Sequence, residues 1–481
     1  MSAEHARIKN KVAFFRSSFW NANVVGLTAF IAPGLYNATT ATGAGGAQSP
    51  YLVLRATSVL SCMMILSCYM GSLVANKAGL KNTLILGTTG YAIYSAGLYT
   101  NNRYGTEWLV LFGAAACGAS AGLFWASEAA IMVAYPEQHL RGRYLSLWLA
   151  YRNSGSILGG AINLGFNATG SKTGKLDWRS YIVFVTLQCL GPAVGALLTP
   201  PGKVQRTDGT KVHIAKPLSN KQELKALWKL SWDKRVLLSI PICFYAIFQA
   251  SWVGSYLTQY FSVRARALAS LVAALTQIFG NLVFGYFLDY QKLTLNARVR
   301  WGFAGMMALH LGTWVYATVV QVDYSGRAVK PAFDWDTAGF ARGWVLYLLV
   351  QLCFSTVYNY MFWVIGGLAQ SSNEVVRFTS IIRSWESAGG AVASGIASTK
   401  TPLTAQVYLN FALCVFVIPF SWLAFRNLGL DENGNHISFF DRHDPVEYED
   451  DEQKTAAGSA SPSIKDKEEE ATAEEAVVAK A

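Results

Sequence analysis

The chain has 481 residues, of which 52% are apolar and only 14% charged, against roughly a quarter charged in a typical soluble protein. The charges are segregated: Leu428–Ala481 carries 15 acidic and 5 basic residues, whereas residues 1–427 carry 35 basic and 14 acidic ones. Long apolar runs between short charged clusters exclude a water-soluble enzyme, and Lys/Arg scattered between those runs, with no continuous basic face, exclude nucleic acid as a partner.

A helix needs ~20 mainly apolar residues to cross the hydrocarbon layer of a bilayer. In chain order the sequence predicts twelve such spans, at 18–37, 51–74, 82–100, 108–134, 144–166 and 180–199, then 236–260, 267–289, 301–322, 343–366, 378–398 and 403–425. Their length requires helices, because barrel strands are about half as long and alternate strictly. Residues 1–17 form a short basic N-terminus, and no small-residue cleavage site follows, so the first span is expected to be retained. The segment 200–235 holds nine basic and three acidic residues and separates a six-helix half, 18–199, from a second, 236–427. Within it, Gln222–Leu230 has the pattern of a short amphipathic helix at the bilayer surface. The acidic tail, 428–481, is rich in Glu, Ala and Ser, buries too little to fold alone, and is predicted to be disordered. The expected fold class is all-α transmembrane, a twelve-span bundle of two six-helix halves with a disordered tail.

Basic residues orient the bundle. With the N-terminus inside, the inner segments of residues 1–427 hold 22 Lys/Arg and the outer loops 10, which places both termini in the cytoplasm. Arg264 and Arg266, in a short outer loop, run against this count. The sequons at Asn37 and Asn167 both fall on the outer side, but each lies at a span end, where helix capping competes with glycosylation.

Chemistry-bearing motifs are few. The seven cysteines, Cys62, Cys68, Cys117, Cys189, Cys243, Cys353 and Cys414, lie in apolar runs without metal-ligand spacing and read as packing residues. Gly170–Lys175 has the wrong spacing for a phosphate loop, and no H-E-x-x-H occurs. His310, the one histidine inside a span, reads as a packed, hydrogen-bonded residue. No enzyme activity, cofactor or metal is expected.

Charges inside spans are the informative residues, because each costs a few kcal/mol or more unless paired or hydrated. Counting ~1.5 Å per residue, Glu128 and Arg152 lie at matching depths on successive helices and are expected to pair. Arg383 and Glu386, three residues apart, share a helix face. Each pair serves as a transport site or as a charge lock. Arg55 is expected to snorkel to the outer surface. Asn21, Asn23, Trp125 and Gln249 are softer cavity candidates, for which core packing is the competing role.

An offset of 234 residues aligns Arg143–Gly160 with Arg377–Ser394, placing Arg143 on Arg377, Ser146 on Ser380, Tyr151 on Trp385, Arg152 on Glu386 and Gly155 on Gly389. A six-plus-six internal repeat follows, pairing the fifth span with the eleventh. Gly155, Gly159 and Gly160 on one, and Gly389 and Gly390 on the other, are small residues that let helix backbones approach. The stretch Gly71–Lys81, GSLVANKAGLK, resembles a degraded G-x-L-x-D-R-x-G-R-K loop of major facilitator transporters, with Gly71, Lys77, Gly79 and Lys81 in place, Asn76 where Asp is usual, and one residue inserted. Gly285 and Asp289 echo it in the second half.

Four stretches carry a more specific resemblance: Ala32–Gly46, Ala121–Gly165, Phe284–Phe303 and Ser384–Ile396. The second contains W-x-S-E-x-A-I-M-x-x-Y-P followed by R-G-R-Y. Together they resemble the fungal branch of the Unc-ninety-three-like family, within the major facilitator superfamily, over residues 10–427. The resemblance implies a secondary transporter that moves a small solute by alternating access, driven by a solute or proton gradient since no ATP site is present. It also leaves open a non-transporting accessory protein, because animal relatives regulate potassium channels or escort receptors. The expected partners are the bilayer and a small, unidentified solute, or a membrane protein under the second reading.

Overall fold

The computed structural model describes residues 12–43, 47, 50–136, 141–168, 175–207, 212, 219–288, 290, 292–368, 372–430 and 434. The chain divides into a unit of residues 1–437 and a second of residues 438–481. The second unit, and with it nearly all of the acidic tail, lies outside the described residues, as does Asp289.

The described chain is helical, with isolated bridges in place of a sheet. Helix α1 (Ser18–Ala29) runs through a π-turn at Phe30–Gly34 into α2 (Leu35–Ala41). Pro33 explains the π-turn, since a proline ring cannot fit the α-helical turn and contributes no N–H. Ser17 caps α1 by accepting from Trp20 N at 3.1 Å. Next comes α3 (Tyr51–Tyr104), 54 residues long, then α4 (Trp108–Ala134), α5 (Arg141–Asn167), α6 (Trp178–Cys189) and the short α7 (Gly191–Gly195).

Two expectations change here. The second and third spans are joined by one residue instead of a loop: Gly79, at φ 79° and ψ 153°, is the single non-helical position of α3. Gly71, Lys77 and Lys81 of the loop motif are therefore helical, as is the backbone of Asn76. The sixth span is broken after Cys189, where Gly191 and Pro192 start a new turn.

After the basic segment, Asn220–Ser231 forms α8, closed by a capping box in which Ser219 and Gln222 exchange hydrogen bonds. The remaining helices are α9 (Lys234–Tyr260), α10 (Val263–Leu288), α11 (Leu295–Gly326), α12 (Phe340–Leu368), α13 (Ser372–Ser398) and α14 (Leu403–Phe425). Among the described residues, seven segments are long and apolar enough to cross a membrane: Tyr51–Ala75, Trp108–Met132, Lys234–Tyr260, Val263–Leu288, Leu295–Gly326, Phe340–Ile365 and Leu403–Phe425. Of the expected spans outside that set, α5 and α13 carry Arg152, Arg383 and Glu386, the intramembrane charges that lower their apolarity. Leu66, Phe112, Phe279, Leu282, Val319 and Phe416 are each more than half exposed, as lipid-facing side chains must be. The chain is an all-helical, multi-pass membrane protein.

The core is correspondingly thin. Among the N-terminal helices, one apolar cluster joins Ala32, Leu60, Tyr91, Tyr94 and Ala114, and another joins Val25, Leu84, Phe124 and Met132. Between α9 and α11, rings take over: Tyr256, Tyr260, Tyr324 and Phe333 lie 5.2–5.5 Å apart in sequence, the Tyr256–Tyr260, Tyr260–Tyr324 and Tyr324–Phe333 pairs being tilted or edge-on. The 327–339 connection is bound into this group by Ser262 N donating to Phe333 O and Phe333 N donating to Tyr260 O.

Small residues do what their spacing suggests. A Cβ on Gly155 would lie 2.3 Å from Phe30 O, and one on Gly159 2.5 Å from Ala38 Cβ; α5 thus nests against the π-turn. Ser156 donates to Gly34 O at 3.2 Å in the same crossing. Gly160 brings α5 onto α10, where a Cβ would stand 2.6 Å from Leu271 Cα, and Gly389 brings α13 onto α9, with 2.0 Å to Phe244 O. Gly390 faces Ser61 and Ile247 closely, a Cβ there standing 3.2 Å from Ser61 Oγ, and Gly285 meets only Asn359.

Candidate functional site

Hydrogen bonds tie the N-terminal helices to the C-terminal ones at two crossings. At the start of α10, Arg266 donates to Thr42 O at 3.0 Å and to Gly43 O and Ala47 O at 2.9 Å each. Gly43 is at φ 75°, a left-handed turn that presents its carbonyl to the guanidinium. One turn on, Ser270 donates to Ala38 O at 2.8 Å and Asn163 Nδ2 reaches Ser270 Oγ at 3.1 Å. Along α3 and α13, Ser58 donates to Ala391 O at 2.9 Å and Ser384 to Ile65 O at 3.1 Å. These bonds make a polar seam among closely packed backbones.

The seam reaches α13 one residue from Arg383, and there the sequence-predicted charges converge. The Arg383 guanidinium lies over Trp125 at 4.5 Å, over Phe362 at 4.6 Å and over Tyr358 at 5.5 Å. It also donates to Glu386 Oε2 at 2.9 Å, which Tyr358 OH contacts at 3.2 Å. Arg383 and Glu386 thus form the expected i,i+3 pair. Arg152 approaches from α5, its guanidinium 4.9 Å from the Trp125 ring centre. One indole therefore carries two guanidiniums, an arrangement that cation–π attraction favours in a desolvated setting.

The expected Glu128–Arg152 ion pair is not formed. Arg152 lies on Trp125, three residues before Glu128 on the same helix, and the structure gives no salt bridge or hydrogen bond between the two. Matching depth did not ensure contact, because rotation about each helix axis decides which way a side chain projects. Glu128 is 2% exposed and, among the described residues, neither carboxylate oxygen has a hydrogen-bond partner. The groups that act on it electrostatically are Arg152 of α5 and Arg383 of α13, with the Trp148 indole N–H of α5 and Tyr91 of α3 close enough to interact with its charge. A small pocket of about 10 Å³ between α4 and α13 is lined by Cys68, Gly122, Trp125, Thr379, Ser380 and Arg383.

Several of the other candidates make hydrogen bonds within the fold. His310 Nε2–H donates to Cys353 O at 3.1 Å, and Nδ1 accepts from Tyr245 OH at 2.6 Å. Tyr245 in turn accepts from Trp314 Nε1 at 2.8 Å. This is a satisfied core histidine. Asn21 is buried, donates to Ser17 O and accepts from Thr199 N at 2.8 Å, and Asn23 accepts from Tyr151 OH at 2.8 Å. Gln249 is buried with both amide atoms unpartnered among the described residues. Asn167 is also buried; it accepts from Asp177 N at 2.8 Å and donates to Asn163 O at 2.7 Å, so its amide is occupied inside the fold. Asn37 is half-buried within α2. Arg55 is exposed, at the edge of a cavity of about 320 Å³ that Glu107, Lys175 and Tyr181 also line.

The two basic residues that ran against the orientation count are also explained. Arg264 is held by Asp334 and Asp336 over the Trp335 ring, and Arg266 is the buried clamp of the seam. On α8, Glu223 takes Arg377 of α13 at 2.7 and 3.0 Å, while Trp228 and Trp232 remain exposed. At the start of α9, Arg235 bridges Asp233 and Glu374, each at 2.8 Å. The guanidinium holds the Asp233 carboxyl below its usual range.

Sequence reasoning missed Tyr358 and Phe362. Their spacing of four on a strongly apolar helix is indistinguishable from ordinary packing, and only Arg383 gives it meaning.

Comparison with known proteins agrees with this geometry. The description "Major Facilitator Superfamily" matches residues 13–394. The chain is 38% identical over 417 residues to the notoamide biosynthesis cluster protein O′ of Aspergillus versicolor, covering 86% of this chain and 90% of that one. It is 28% identical to an UNC93-like protein of Schizosaccharomyces pombe, with 83% and 80% covered, and 27% identical to UNC93-like protein 1 of Arabidopsis thaliana, with 84% and 89% covered. Among solved structures, the fold is similar to a xylose transporter from E. coli in a partially occluded, inward-open conformation. That likeness has a TM-score of 0.61 at 12% identity and covers 84% of this chain and 99% of that one.

Proposed function

Because this chain belongs to the Major Facilitator Superfamily, we propose that it moves a small solute across a membrane by alternating access between two six-helix halves, residues 18–199 and 236–427. In this reading α1 with α2, each arm of α3, α4, α5, α6 with α7, and α9 to α14 make the twelve spans. Both termini and the basic 200–235 segment face the cytoplasm.

The observation that carries the reading is the position of the charge cluster. Four ionisable side chains from three helices of both halves, Glu128, Arg152, Arg383 and Glu386, gather where the inter-half seam reaches Arg383. Buried charge is expensive, and a fold that only needed to hold helices together would do so with apolar side chains. In this reading the Arg266 contacts hold the non-cytoplasmic side of the bundle together, and the cluster is reached from the cytoplasm. Rocking of one half against the other would break the Arg266 and Ser58 contacts and expose the same cluster to the opposite side.

The test is uptake by the purified full chain in liposomes, with and without an imposed pH gradient, across a broad panel of metabolites. Accumulation of a solute that is lost in Arg152→Gln supports the reading. Absence of uptake for the whole panel, in protein that melts cooperatively, would favour a non-transporting accessory role.

A further inference from the structure

Among the described residues, Arg152, Arg266 and Arg383 place guanidiniums inside the bundle, and they are not equivalent. Arg266 is fully occupied by three carbonyl oxygens, and Arg383 is paired with Glu386. Arg152 is half-buried and stacked on Trp125, and the structure gives its side chain no carboxylate or carbonyl acceptor among the described residues. A guanidinium is a planar fork that matches a carboxylate in two parallel hydrogen bonds. Glu128, an acid that acts on Arg152 electrostatically, is buried, and neither of its oxygens has a hydrogen-bond partner among the described residues. Neither arrangement is a finished structural contact, and they occur side by side.

We propose that this site binds an organic monocarboxylate on Arg152, against the Trp125, Tyr358 and Phe362 rings, and takes up a proton on Glu128 in the same event. The inference rests on the transport reading above and gives it a substrate class and a coupling ion. Charge balance supplies the reason. With Glu128 ionised, Arg152, Arg383, Glu128 and Glu386 sum to zero. With Glu128 protonated they sum to +1, and a bound monoanion returns the total to zero. The empty deprotonated site and the loaded protonated site are both neutral, so both can be enclosed in low dielectric. The two half-loaded states carry a net charge and are penalised. Substrate and proton thus bind together or not at all, which is symport.

The other titratable groups around the cluster do not alter this sum. Tyr91 and Cys68 of α3, Tyr358 of α12 and Cys243 of α9 are all neutral acids when protonated, and Arg383 remains matched to Glu386 throughout. An ionised Glu128 would repel the incoming carboxylate, whereas a protonated one presents an O–H donor. The direction of coupling follows: acid favours binding.

The experiment uses the full chain in detergent with benzoate as the probe, and benzamide and benzylammonium as neutral and cationic controls. Binding is followed by the shift in melting temperature, and proton uptake by pH change in weakly buffered solution across the range from acid to alkaline. Benzoate should stabilise while the controls do not, with affinity falling by about tenfold per pH unit where the free Glu128 is ionised. Proton uptake should rise from near zero in acid toward one per bound benzoate in alkali. Glu128→Gln should bind benzoate with no pH dependence and no proton uptake. Arg152→Gln should lose binding, and Arg152→Lys, which keeps the charge but not the fork, should weaken it if the glutamine variant does not fold.

Equal stabilisation by benzamide, proton uptake that stays at zero throughout, or unchanged benzoate binding in both Arg152 variants would overturn the proposal. If benzoate does not bind but liposomes accumulate a neutral solute, the anion site falls and the transport reading stands. If benzoate binds with a proton yet is not accumulated, the site stands and the transport reading falls.

Discussion

Arg266 and Arg152 bring the same side chain into the same bundle for opposite ends. Arg266 is 2% exposed and its guanidinium meets the Thr42, Gly43 and Ala47 carbonyls, two of them in or beside a left-handed turn. Arg152 lies on the face of Trp125 and has no carboxylate or carbonyl acceptor among the described residues. A buried cation surrounded by fixed backbone acceptors is a structural element, because removing it leaves several polar atoms dry. In the proposed function, a half-buried cation with no carboxylate or carbonyl acceptor among the described residues is a site, whose stabilising partner is the bound anion. The fold bears the cost of the second only if function requires it.

The comparison is sharpest where the third arginine lies between the two extremes. Arg383→Gln should strand the buried Glu386 carboxylate and Glu386→Gln the guanidinium, each lowering stability by roughly 3–5 kcal/mol, with the double variant recovering much of the loss. A thermal double-mutant cycle measures this, and additive single effects would mean that the 2.9 Å pair contributes nothing. The same cycle on Glu128 and Arg152 should show a much smaller coupling, since the structure places no direct bond between them.

Next in size, Arg266→Gln should cost about 3 kcal/mol, from carbonyls left without a donor in the seam. Arg152→Gln should cost less, because among the described residues it leaves no carbonyl or carboxylate without its hydrogen bond. Equal destabilisation by both would erase the distinction between clamp and site.

The seam depends on close backbones as well as on Arg266. Gly155→Ala, whose Cβ would sit 2.3 Å from Phe30 O, should destabilise by about 1–3 kcal/mol. Gly165→Ala on the same helix meets nothing within 4 Å and should gain up to about 1 kcal/mol from helix propensity. Melting temperatures of the two variants, measured side by side, check the sign of each.

The smallest effect lies at the surface. Asp177 caps α6 through Arg179 N at 2.8 Å and pairs with the Arg179 side chain, which holds its carboxyl below the usual 3.8. Asp177→Ala should cost about 1 kcal/mol. Because the folded pKa is the lower one, this contribution is present above 3.8 and is lost as pH falls through the depressed value. Acid melting curves of wild type and variant should therefore converge.

Much of this architecture is legible in the sequence because a bilayer demands long apolar helices, and length is easily counted. The Arg383–Glu386 pair is legible for a similar reason: three residues along a helix is a local geometry that does not depend on the rest of the fold. The Glu128–Arg152 pair is not. Depth follows from counting, but the direction in which each side chain points follows from how Gly155 and Gly159 seat α5 against the π-turn and α2. The Arg266 clamp was hidden for another reason. In sequence it looked like a basic residue on the wrong side of the membrane, and its acceptors, the carbonyls near Thr42, have no residue-type signature. The loop motif misled because residues 75–81 were expected to form a loop, and only Gly79 leaves the helix.

That residue has a mechanical meaning. Its dihedrals, φ 79° and ψ 153°, fall in a region that is essentially accessible to glycine alone, although a Cβ there would meet nothing within 4 Å. Space does not constrain the position; torsion does. A single residue leaves no slack between the two arms of α3, unlike a flexible loop that could absorb displacement. A tilt of the first arm, which carries Ser58 and Ile65 along α13, takes the near end of the second arm with it. The angle between the two rods rests on the torsions of Gly79, the residue type with the widest backbone freedom, so the junction acts as a short hinge.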